Sequence, residues 1–402
     1  MSEIGSPTIL CLASHFKGEA FIKSCKNLGC RVILITKEKF SGEEWPWEAI
    51  DEQFFMPDLT KQPDILHAVS YLARDRKIDR IIPLDDFDVE TAATLREHLR
   101  IPGMGDTTAR FFRDKLAMRM EAEKYRIRVP SYCAIINYDE IHEFVRTVSP
   151  PWVLKPRSQA GAMGIKKVES EHQLWTVLEE LGDKVSFFLL EQFVPGDIYH
   201  VDSIVSEGQI IFAEAHKYNQ PPMSVSHEGG VFISRTLPRN SDEVQPLLKL
   251  NQQLLEAFGM VRGVNHTEFI RGSRDGHLYF LETAARVGGA NISELVEFAT
   301  GINLWSEWAK IETANFRKDT YSLPALNGDY AGIMVCLARQ ETPDLSQYND
   351  PEIVWRLQKD HHAGLIVASP DHERIEELLD DYGLRFEQDF VAFVPPLDEA
   401  PL

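Results

Sequence analysis

The hydrophobic pattern of the first hundred residues alternates between short apolar runs and longer amphipathic segments. Short apolar runs predict buried strands, and amphipathic segments predict helices. The predicted strands are residues 9–13, 31–36 and 80–84, and the predicted helices are residues 17–27, 63–76 and 89–99. Strands that alternate with helices are typical of a parallel sheet. We therefore predict a parallel βα domain over residues 1–105.

Two polar tracts in this domain bear on its chemistry. The loop at residues 14–18 lacks GxGxxG, so the fingerprint of a dinucleotide-binding domain is absent. Asp85 and Asp86 follow a strand at its carboxyl end, where open α/β sheets place ligands. They are candidates to bind a substrate amine, but we favour the alternative that they cap the next helix. The charged, aromatic tract 39–55 predicts an exposed loop.

A β-hairpin is predicted further along, over residues 263–289. Strands at 264–270 and 278–281 are joined by a turn that folds about Asp275, which places Glu268 opposite Glu282. Opposed side chains in a ladder lie about 5 Å apart, so two carboxylates there need a proton or a cation between them. A divalent ion such as Mg²⁺ meets that need. The alternative is a surface hairpin with two solvated glutamates.

The residues after this hairpin predict an anion site. Arg286 follows Glu282 by four residues and precedes two glycines. Asn291 and Glu294 have the spacing of a capping box for a helix over residues 292–300. A fixed cation beside a helix N-terminus is a ready anion site. The stretch therefore combines a candidate metal pair with a candidate pocket for phosphate or carboxylate.

A small-residue loop follows a predicted strand at residues 152–154. The strand delivers Lys155, and the loop at 158–164 contains two glycines and two alanines that let backbone N–H groups approach an anion. No Gly-Lys-Ser/Thr opens a helix here, so the loop is not a Walker A motif. We interpret it as a flexible lid over phosphates. The alternative is an ordinary mobile loop.

Three further segments complete the candidate site. Lys115 lies in a predicted amphipathic helix at 106–125. The extended segment from Glu191, which ends at Pro195-Gly196 before Asp197, is suited to hydrogen-bond an adenine edge through its backbone. Either acid taken alone is equally typical of an interdomain surface. The tract 214–232 has no clear periodicity and is interpreted as a substrate-covering loop or, alternatively, as a surface excursion.

The end of the chain predicts a small α/β unit that packs on the nucleotide domain. Its predicted strands are residues 331–337 and 363–368, and its helix is residues 371–382. No chemistry is evident there. The proline-rich tail from Pro395 is predicted to fray.

Composition narrows the class of protein. The net charge of −20 argues against a nucleic-acid surface, and no apolar run approaches the length of a membrane helix. The first eight residues lack the pattern of a signal peptide. The five cysteines show no CxxC and predict reduced thiols, which makes a zinc site improbable. These features favour a soluble, cytoplasmic enzyme or binding module.

Taken together, the motifs carry a family resemblance. They are Lys115 after an aspartate, Lys155 before the small-residue loop, Glu191-Gln-Phe-Val-x-Gly-Asp, Glu268 and Glu282-x-x-x-Arg286. In this order and spacing they resemble the ATP-grasp superfamily, in particular its carboxylate–amine ligase and biotin-carboxylase-like branches. The resemblance covers nearly the whole chain. It implies an α/β ATP-grasp fold with an N-terminal parallel βα domain, a mobile lid subdomain and a small C-terminal α/β unit.

The resemblance also implies a domain division and a set of roles. The ATP-grasp core is expected at residues 106–320, with the lid subdomain at about 130–195, and the C-terminal unit at 321–402. ATP is the expected cofactor, with Mg²⁺ or alternatively Mn²⁺. The implied phosphate-binding residues are Lys115, Lys155 and the lid residues Gly161, Ala162, Met163 and Gly164. The implied adenine and ribose contacts are Glu191, Gln192, Phe193, Val194 and Asp197. The implied metal ligands are Glu268 and Glu282, and the implied catalytic residues are Arg286 and Lys155.

One departure from the family pattern concerns the metals. Many members carry an asparagine two residues after the second glutamate as a further metal ligand, and this chain has Ala284 there. The occupancy of a second ion is therefore open.

The favoured function is an ATP-dependent ligase that joins a small-molecule carboxylate to an amine through an acyl phosphate, releasing ADP and phosphate. The amino-acid or peptide-bond-forming type is preferred. One alternative is a carboxylase that activates bicarbonate. The run Val287-Gly-Gly-Ala counts against it, because biotin carboxylases carry Gln-Val-Glu-His after the arginine. Another is a nucleotide-binding module without turnover. The substrates are open, as is the oligomeric state, for which a homodimer is one option.

Overall fold

A four-stranded parallel sheet begins the chain in the computed structural model, which describes residues 5–394. Its strands lie in the order β3-β2-β1-β4, and all pairings are parallel. The strands are β1 (Thr8–Ala13), β2 (Arg31–Lys37), β3 (Glu52–Met56) and β4 (Arg80–Pro83), and the helices are α1 (Glu19–Asn27), α2 (Asp64–Leu72) and α3 (Val89–Leu99). Every residue of β1 is buried, as expected for a strand covered on both faces. The predicted parallel βα arrangement is confirmed.

The tract 39–55 differs from its prediction as an exposed loop. Its last residues form the edge strand β3, which pairs with β2. Trp45 is only 3% exposed and meets the Phe16 ring edge-on at a centroid distance of 4.8 Å. Residues 41–44 are exposed as predicted, but the prediction was wrong for Trp45 and for the strand. The charged residues of the tract suggested solvent exposure, whereas the Trp45 ring is stabilised in a buried position by packing.

The predicted helix over residues 106–125 is two helices, α4 (Asp106–Arg110) and α5 (Lys115–Lys124). The break falls at Asp114, whose carboxylate accepts hydrogen bonds from Leu116 N at 3.0 Å and Ala117 N at 3.4 Å. An aspartate that caps a helix satisfies its free N–H groups and fixes where the helix begins. Lys115 is therefore the first residue of α5, and it is buried rather than solvated.

A four-stranded antiparallel sheet follows in the order β5-β8-β6-β7. Its strands are β5 (Tyr132–Ala134), β6 (Trp152–Pro156), β7 (Lys166–Val168) and β8 (Phe188–Gln192), and its helices are α6 (Tyr138–Thr147) and α7 (Glu171–Leu181). The two helices and the sheet enclose one apolar cluster around Trp152 and Leu190. The loop at 158–164 joins β6 to β7 and projects from this sheet.

An eight-stranded antiparallel sheet forms the rest of the fold, in the order β13-β12-β9-β10-β11-β14-β16-β15. Its strands are β9 (Gly196–Ser206), β10 (Gln209–Tyr218), β11 (Phe232–Thr236), β12 (Gly263–Gly272), β13 (Leu278–Ala284), β14 (Tyr330–Leu337), β15 (Ile353–Arg356) and β16 (His362–Ser369). The helices are α8 (Pro222–Glu228), α9 (Val244–Phe258), α10 (Ile292–Thr300), α11 (Leu304–Arg317) and α12 (His372–Asp389). The C-terminal strands thus extend the central sheet, and β15 was not predicted.

The tract 214–232 is also more regular than predicted. Residues 214–218 belong to β10, where Glu214 pairs with Asp202 and His216 with His200. After Tyr218 a short helix, α8, precedes β11. The irregular part is therefore confined to the turns on either side of α8. The sequence prediction failed because residues 214–218 are held in β10 by their pairing with the preceding strand β9 rather than by their own alternation.

The predicted hairpin is confirmed as β12 and β13. The register pairs Glu268 with Glu282, and a bulge follows between Glu268 and Phe269. The helix after it, α10, has the predicted bounds and ends at Gly301 in the left-handed conformation. The predicted capping box is wrong, because Asn291 lies at φ 60° and its side chain accepts no backbone hydrogen bond.

Two further observations concern the chain as a whole. The predicted fraying from Pro395 lies outside the described residues. Within residues 5–394, no helix combines the length and the apolar character needed to span a membrane.

Candidate active site

A cavity of about 490 Å³ lies between the four-stranded antiparallel sheet and the eight-stranded sheet. Both sheets and the loop between β6 and β7 contribute to its wall. It gathers twelve of the fourteen predicted site residues: Lys115, Lys155, Gly161, Ala162, Met163, Glu191, Gln192, Phe193, Val194, Glu268, Glu282 and Arg286. Residues from five separate stretches of the chain thus meet in one place.

Two predicted residues are absent from this wall. Asp197 is largely exposed, and its carboxylate accepts a hydrogen bond of 2.7 Å from Lys217 Nζ. Gly164 ends the loop at φ 66° but does not line the cavity. The ribose contact of Asp197 and the phosphate contact of Gly164 stay predictions.

The two opposed carboxylates on β12 and β13 form the acidic centre of the cavity. Glu282 Oε2 lies 3.0 Å from Lys115 Nζ, so a cation of the protein already offsets part of its charge. Burial disfavours the ionised carboxylate, but Lys115 and Lys155 outweigh burial and lower the pKa of Glu282 to about 2. Glu282 therefore carries its negative charge throughout the neutral pH range.

Glu268 is held from the opposite side. Tyr218 donates its hydroxyl hydrogen to Glu268 Oε1 at 2.9 Å, and His266 Nε2 lies 3.5 Å from the same oxygen. His266 is two residues before Glu268, so both side chains project from the same face of β12. These contacts fix the carboxylate orientation and leave its second oxygen available.

A buried series of hydrogen bonds through Asp202 and His200 holds His266 in place. Asp202 Oδ1 lies 2.9 Å from His266 Nδ1, and Asp202 Oδ2 lies 2.7 Å from His200 Nδ1. Burial acts to lower the pKa of His266, but Asp202 and Glu268 prevail and raise it to about 9. A protonated His266 donates from both ring nitrogens, to Asp202 and towards Glu268.

The spacing of three buried residues, His200, Asp202 and His266, is also compatible with a metal ion, since their ligand atoms lie within 4.8 Å of one another. The contacts from Asp202 to the two histidines are 2.7 and 2.9 Å. Ligands around one tetrahedral zinc lie about 3.3 Å apart when each bond is about 2.05 Å. The shorter observed contacts favour a hydrogen-bonded chain.

The lysine on β6 is placed by a buried carboxylate. Glu191 forms an ion pair with Lys155 on one oxygen and accepts a hydrogen bond of 2.5 Å from Arg119 Nε on the other. Burial acts to raise the pKa of Glu191, but Arg119 and Lys155 keep it below its usual value. The Glu191 side chain is thus occupied in positioning Lys155. The backbone N–H groups of Gln192 and Phe193 already donate to Ser131 O at 2.8 Å and to Pro151 O at 3.1 Å, so the adenine contacts of residues 191–194 stay predictions.

Arg286 lies at the junction with the N-terminal unit. Its Nη2 lies 3.6 Å from Asp86 Oδ2, which also pairs with Arg113 Nη1 at 2.8 Å. Its Nε has no hydrogen-bond partner among residues 5–394. Because Asp86 pairs with both Arg113 and Arg286, it does not neutralise the charge of Arg286 completely. An N–H group of Arg286 therefore remains to donate to an anion in the cavity.

Asp85 behaves as the preferred interpretation predicted. It caps the turn that begins at Asp86 by accepting a hydrogen bond of 3.0 Å from Phe87 N. It also forms an ion pair with Lys17. Asp86 differs from that interpretation, because its carboxylate binds arginines rather than backbone N–H groups.

The loop at 158–164 is attached at its first residues and free of strong contacts beyond them. Lys115 Nζ donates to Gln159 O at 2.7 Å, and Arg113 donates to Ser158 O. Gly161 and Ala162 then lie at φ 65° and 60°. The left-handed conformation is strained for alanine but not for glycine, and it turns the loop tip over the cavity.

We expect this loop to become protected when nucleotide binds. Its backbone N–H groups should exchange quickly without ligand and slowly with Mg-ATP, because phosphates supply their missing acceptors. Hydrogen exchange measured by mass spectrometry is the test. The hairpin turn at residues 273–276 serves as the control and should not change. Equal exchange of the loop with and without Mg-ATP would argue against a phosphate-covering role.

Three residues of the site were not predicted. Arg119 lies one helical turn after Lys115, so the i,i+4 spacing carried a signal for it. His266 carried a signal through its alternation with Glu268. Tyr218 carried none, because its position next to Glu268 depends on how β10 pairs with β9 and β9 with β12.

The donor set fits a magnesium nucleotide. Glu268 and Glu282 offer carboxylate oxygens, which Mg²⁺ prefers, on adjacent strands. Lys115, Lys155 and Arg286 line the same cavity and add the positive charge that phosphates require. The apolar residues Phe193, Val194, Ile270 and Leu281 also line it and suit a base.

A cleft of this composition between two antiparallel sheets, behind a parallel βα unit, defines an ATP-binding ligase fold. The ATP-grasp domain profile matches residues 148–294, and the ATP-grasp N-terminal domain profile matches residues 22–103. The chain belongs to the ATP-grasp superfamily, in its carboxylate–amine ligase branch.

Comparisons with individual proteins agree with this assignment. The chain is 25% identical over 319 residues to the L-arginine-specific L-amino acid ligase of Bacillus subtilis, covering 75% of this chain and 76% of that protein. The crystal structure of an L-amino acid ligase from Bacillus licheniformis superposes with a TM-score of 0.76 at 17% identity, covering 97% of this chain and 99% of that one.

A third similarity is to the biotin carboxylase domain of the Hydrogenobacter thermophilus 2-oxoglutarate carboxylase, solved as a dimer with MgADP and bicarbonate. The TM-score is 0.69 at 18% identity, covering 96% of this chain and 90% of that chain. At such identities the structural similarities establish the fold. The predicted α/β ATP-grasp fold is confirmed.

Proposed function

We propose that this protein is an ATP-dependent ligase that joins the carboxylate of an amino acid to an amine. The observation that carries the proposal is the arrangement of Glu268, Glu282 and Arg286 in one cavity with the lid loop. Two carboxylates suit a metal, and a partly uncompensated arginine beside them suits an anionic acceptor. The relative that is an L-amino acid ligase supports the amino-acid type.

Bound Mg²⁺ would be held by Glu268 and Glu282 and would supply charge neutralisation at the phosphates of ATP. The chain's own residues then have separable tasks. Tyr218 and His266 orient Glu268, and Glu191 orients Lys155. Lys115 and Lys155 bind nucleotide phosphates, and the loop at 158–164 excludes water.

The reaction proposed has two steps. An oxygen of the substrate carboxylate attacks the γ-phosphorus, the bond to the β,γ-bridging oxygen breaks, and ADP leaves. The amine nitrogen then attacks the acyl carbon, phosphate leaves, and the amine loses a proton. Arg286 stabilises charge on the transferring phosphoryl group and on the acyl phosphate, where charge develops.

The nucleotide product tests this order of events. We expect ADP and phosphate in equal amounts and no AMP, because on this proposal residues 191–194 hold the adenine end while Glu268, Glu282 and Arg286 act at the terminal phosphate. Added hydroxylamine should intercept the acyl phosphate as a hydroxamate. Chromatography of the spent nucleotide and a colorimetric hydroxamate assay measure both. Stoichiometric AMP would refute the mechanism even if a ligase activity were present.

Substrate dependence separates this proposal from its alternatives. Incubation with ATP, Mg²⁺ and pooled amino acids should release phosphate in proportion to the amide formed. A bicarbonate-activating carboxylase would require bicarbonate instead, and a nucleotide-binding module would bind ATP without phosphate release. The bicarbonate-free reaction mixture with amino acids therefore decides among the three.

A further inference from the structure

The active-site cavity continues past the carboxylate pair as an apolar arm. We define the arm by six residues that line it: Tyr218, Met223, Val225, Phe232, Ile292 and Val335. They come from β10, α8, β11, α10 and β14. The strands β10, β11 and β14 belong to the eight-stranded sheet, whereas the adenine segment at 191–194 begins in β8 of the four-stranded antiparallel sheet, so the two groups line different walls of the cavity.

The strand order gives the arm a direction. From β13 and β12, which carry Glu282 and Glu268, the sheet continues through β9, β10 and β11 to β14. Strands lie about 4.8 Å apart, so β14 is roughly 19 Å from β12 across the sheet. Phe232 and Val335 are register partners at the far end. The arm therefore leads away from Glu268, transverse to the strands.

The inner end of the arm adjoins the reacting groups. The Tyr218 hydroxyl lies 2.9 Å from Glu268 Oε1, and its ring centroid lies 5.4 Å from that of Phe232. A molecule whose carboxylate reaches Arg286 beside the pair of glutamates would have room to extend over these two rings. The arm is thus placed to receive the side chain of the activated acid.

The carboxylates of the cavity wall lie outside the six arm residues and already have partners. Tyr218 donates to Glu268, and His266 contacts Asp202. Three carboxylates line the whole cavity, and each has a partner: Glu191 with Lys155, Glu282 with Lys115 and Glu268 with Tyr218. The six arm residues include no carboxylate that could receive a cationic side chain.

The short helix α8 completes the arm with apolar side chains. Met223 and Val225 line the cavity, while Ser224 and Ser226 add only neutral hydroxyls. A charged substrate group placed here would lose its hydration without gaining an ion pair, which is strongly unfavourable. An apolar group would instead gain by leaving water.

We infer that the acid activated by this protein carries an uncharged, apolar side chain, such as that of leucine, methionine or phenylalanine. The inference rests on the proposed function and names its substrate class. It separates this chain from the Bacillus subtilis relative, which is specific for L-arginine. Met223, Phe232 and Val335 are the side chains that set the preference.

The test uses hydroxylamine as the amine, so that only the acid varies. Hydroxamate formation is measured with leucine, methionine and phenylalanine, and with arginine, lysine and aspartate. The value of kcat/KM should be at least ~100-fold higher for the apolar acids than for the charged ones. A wild-type preference for arginine, lysine or aspartate would overturn the inference and leave the ligase function standing. Failure of every acid to give hydroxamate or phosphate would overturn both.

Two variants locate the specificity in the arm. Met223→Glu should lower kcat/KM for leucine at least ~10-fold and raise it for arginine, with little change in the KM for ATP. Val335→Phe should shorten the arm and penalise phenylalanine more than alanine. Leu384→Glu, on an exposed part of α12, is the control and should match the wild type. If Met223→Glu changes the KM for ATP alone, the arm binds nucleotide and the inference is wrong.

Discussion

Replacing Glu282 by glutamine is expected to reduce turnover about 1000-fold or more while leaving the fold intact. Glutamine has the same shape but only one acceptor oxygen and no charge. A metal ligand is lost, and the charge balance between the two strands of the hairpin changes. Lys115 keeps its hydrogen bond to Gln159 O, so its burial remains partly compensated. Steady-state phosphate release and a thermal unfolding curve measure the two effects.

The matched control for this variant is Asp275→Asn. Asp275 lies in the turn of the same hairpin, accepts a hydrogen bond from Tyr279 and does not line the cavity. It should retain near wild-type turnover. Additional Mg²⁺ or Mn²⁺ should not restore Glu282→Gln. A folded Glu282→Gln protein with normal activity would sink the assignment of Glu282 to the metal.

Replacing Arg286 by alanine is expected to lower kcat about 1000-fold, in the range seen for arginines that stabilise a transferring phosphoryl group. The KM for ATP should change less, because Lys115 and Lys155 remain. Asp86 keeps its ion pair with Arg113 at 2.8 Å, so the variant leaves no unpaired buried carboxylate. Rapid-quench measurement of acyl phosphate as hydroxamate locates the loss in the first step.

Chemical rescue sharpens this prediction. Added guanidinium should recover part of the activity of Arg286→Ala, since the cavity then has space for the missing group. Arg271→Ala is the control, because Arg271 lies on β12 but pairs with Glu243 outside the cavity. Guanidinium should not stimulate it. An Arg286→Ala enzyme with unchanged kcat would remove Arg286 from the mechanism.

Much of the architecture could be predicted because local patterns and tertiary packing agree. The runs at 9–13 and 32–35 are buried on both faces, so they are uniformly apolar and easily identified. The helix over 292–300 was predicted with its exact bounds. Predictions failed where a capping residue interrupted a pattern, as at Asp114, or where burial was unexpected, as at Trp45.

In the candidate site, contacts between residues close together in the chain could be predicted from their spacing. Contacts between residues far apart in the chain could not. The two glutamates of the hairpin are 14 residues apart and were predicted to pair, because one turn fixes the register. Glu191 illustrates the opposite case. Its segment was predicted to bind adenine through the backbone, and nothing indicated that the side chain would be enclosed by Arg119 and Lys155, which come from other elements. Local sequence carries no information about such a contact.

The sequence by itself determined the ATP-grasp superfamily, the hairpin with its opposed glutamates and the small-residue loop after Lys155. The hairpin and the loop depend on residues close together in the chain, where periodicity and turn chemistry act, and the superfamily was indicated by the order of such short motifs from Lys115 to Arg286. Only the tertiary structure decided how Tyr218 and His266 orient Glu268, how Asp86 shares two arginines, and that an apolar arm extends from β10 to β14. Those features depend on strand order and on burial, which bring together residues that are up to about two hundred positions apart.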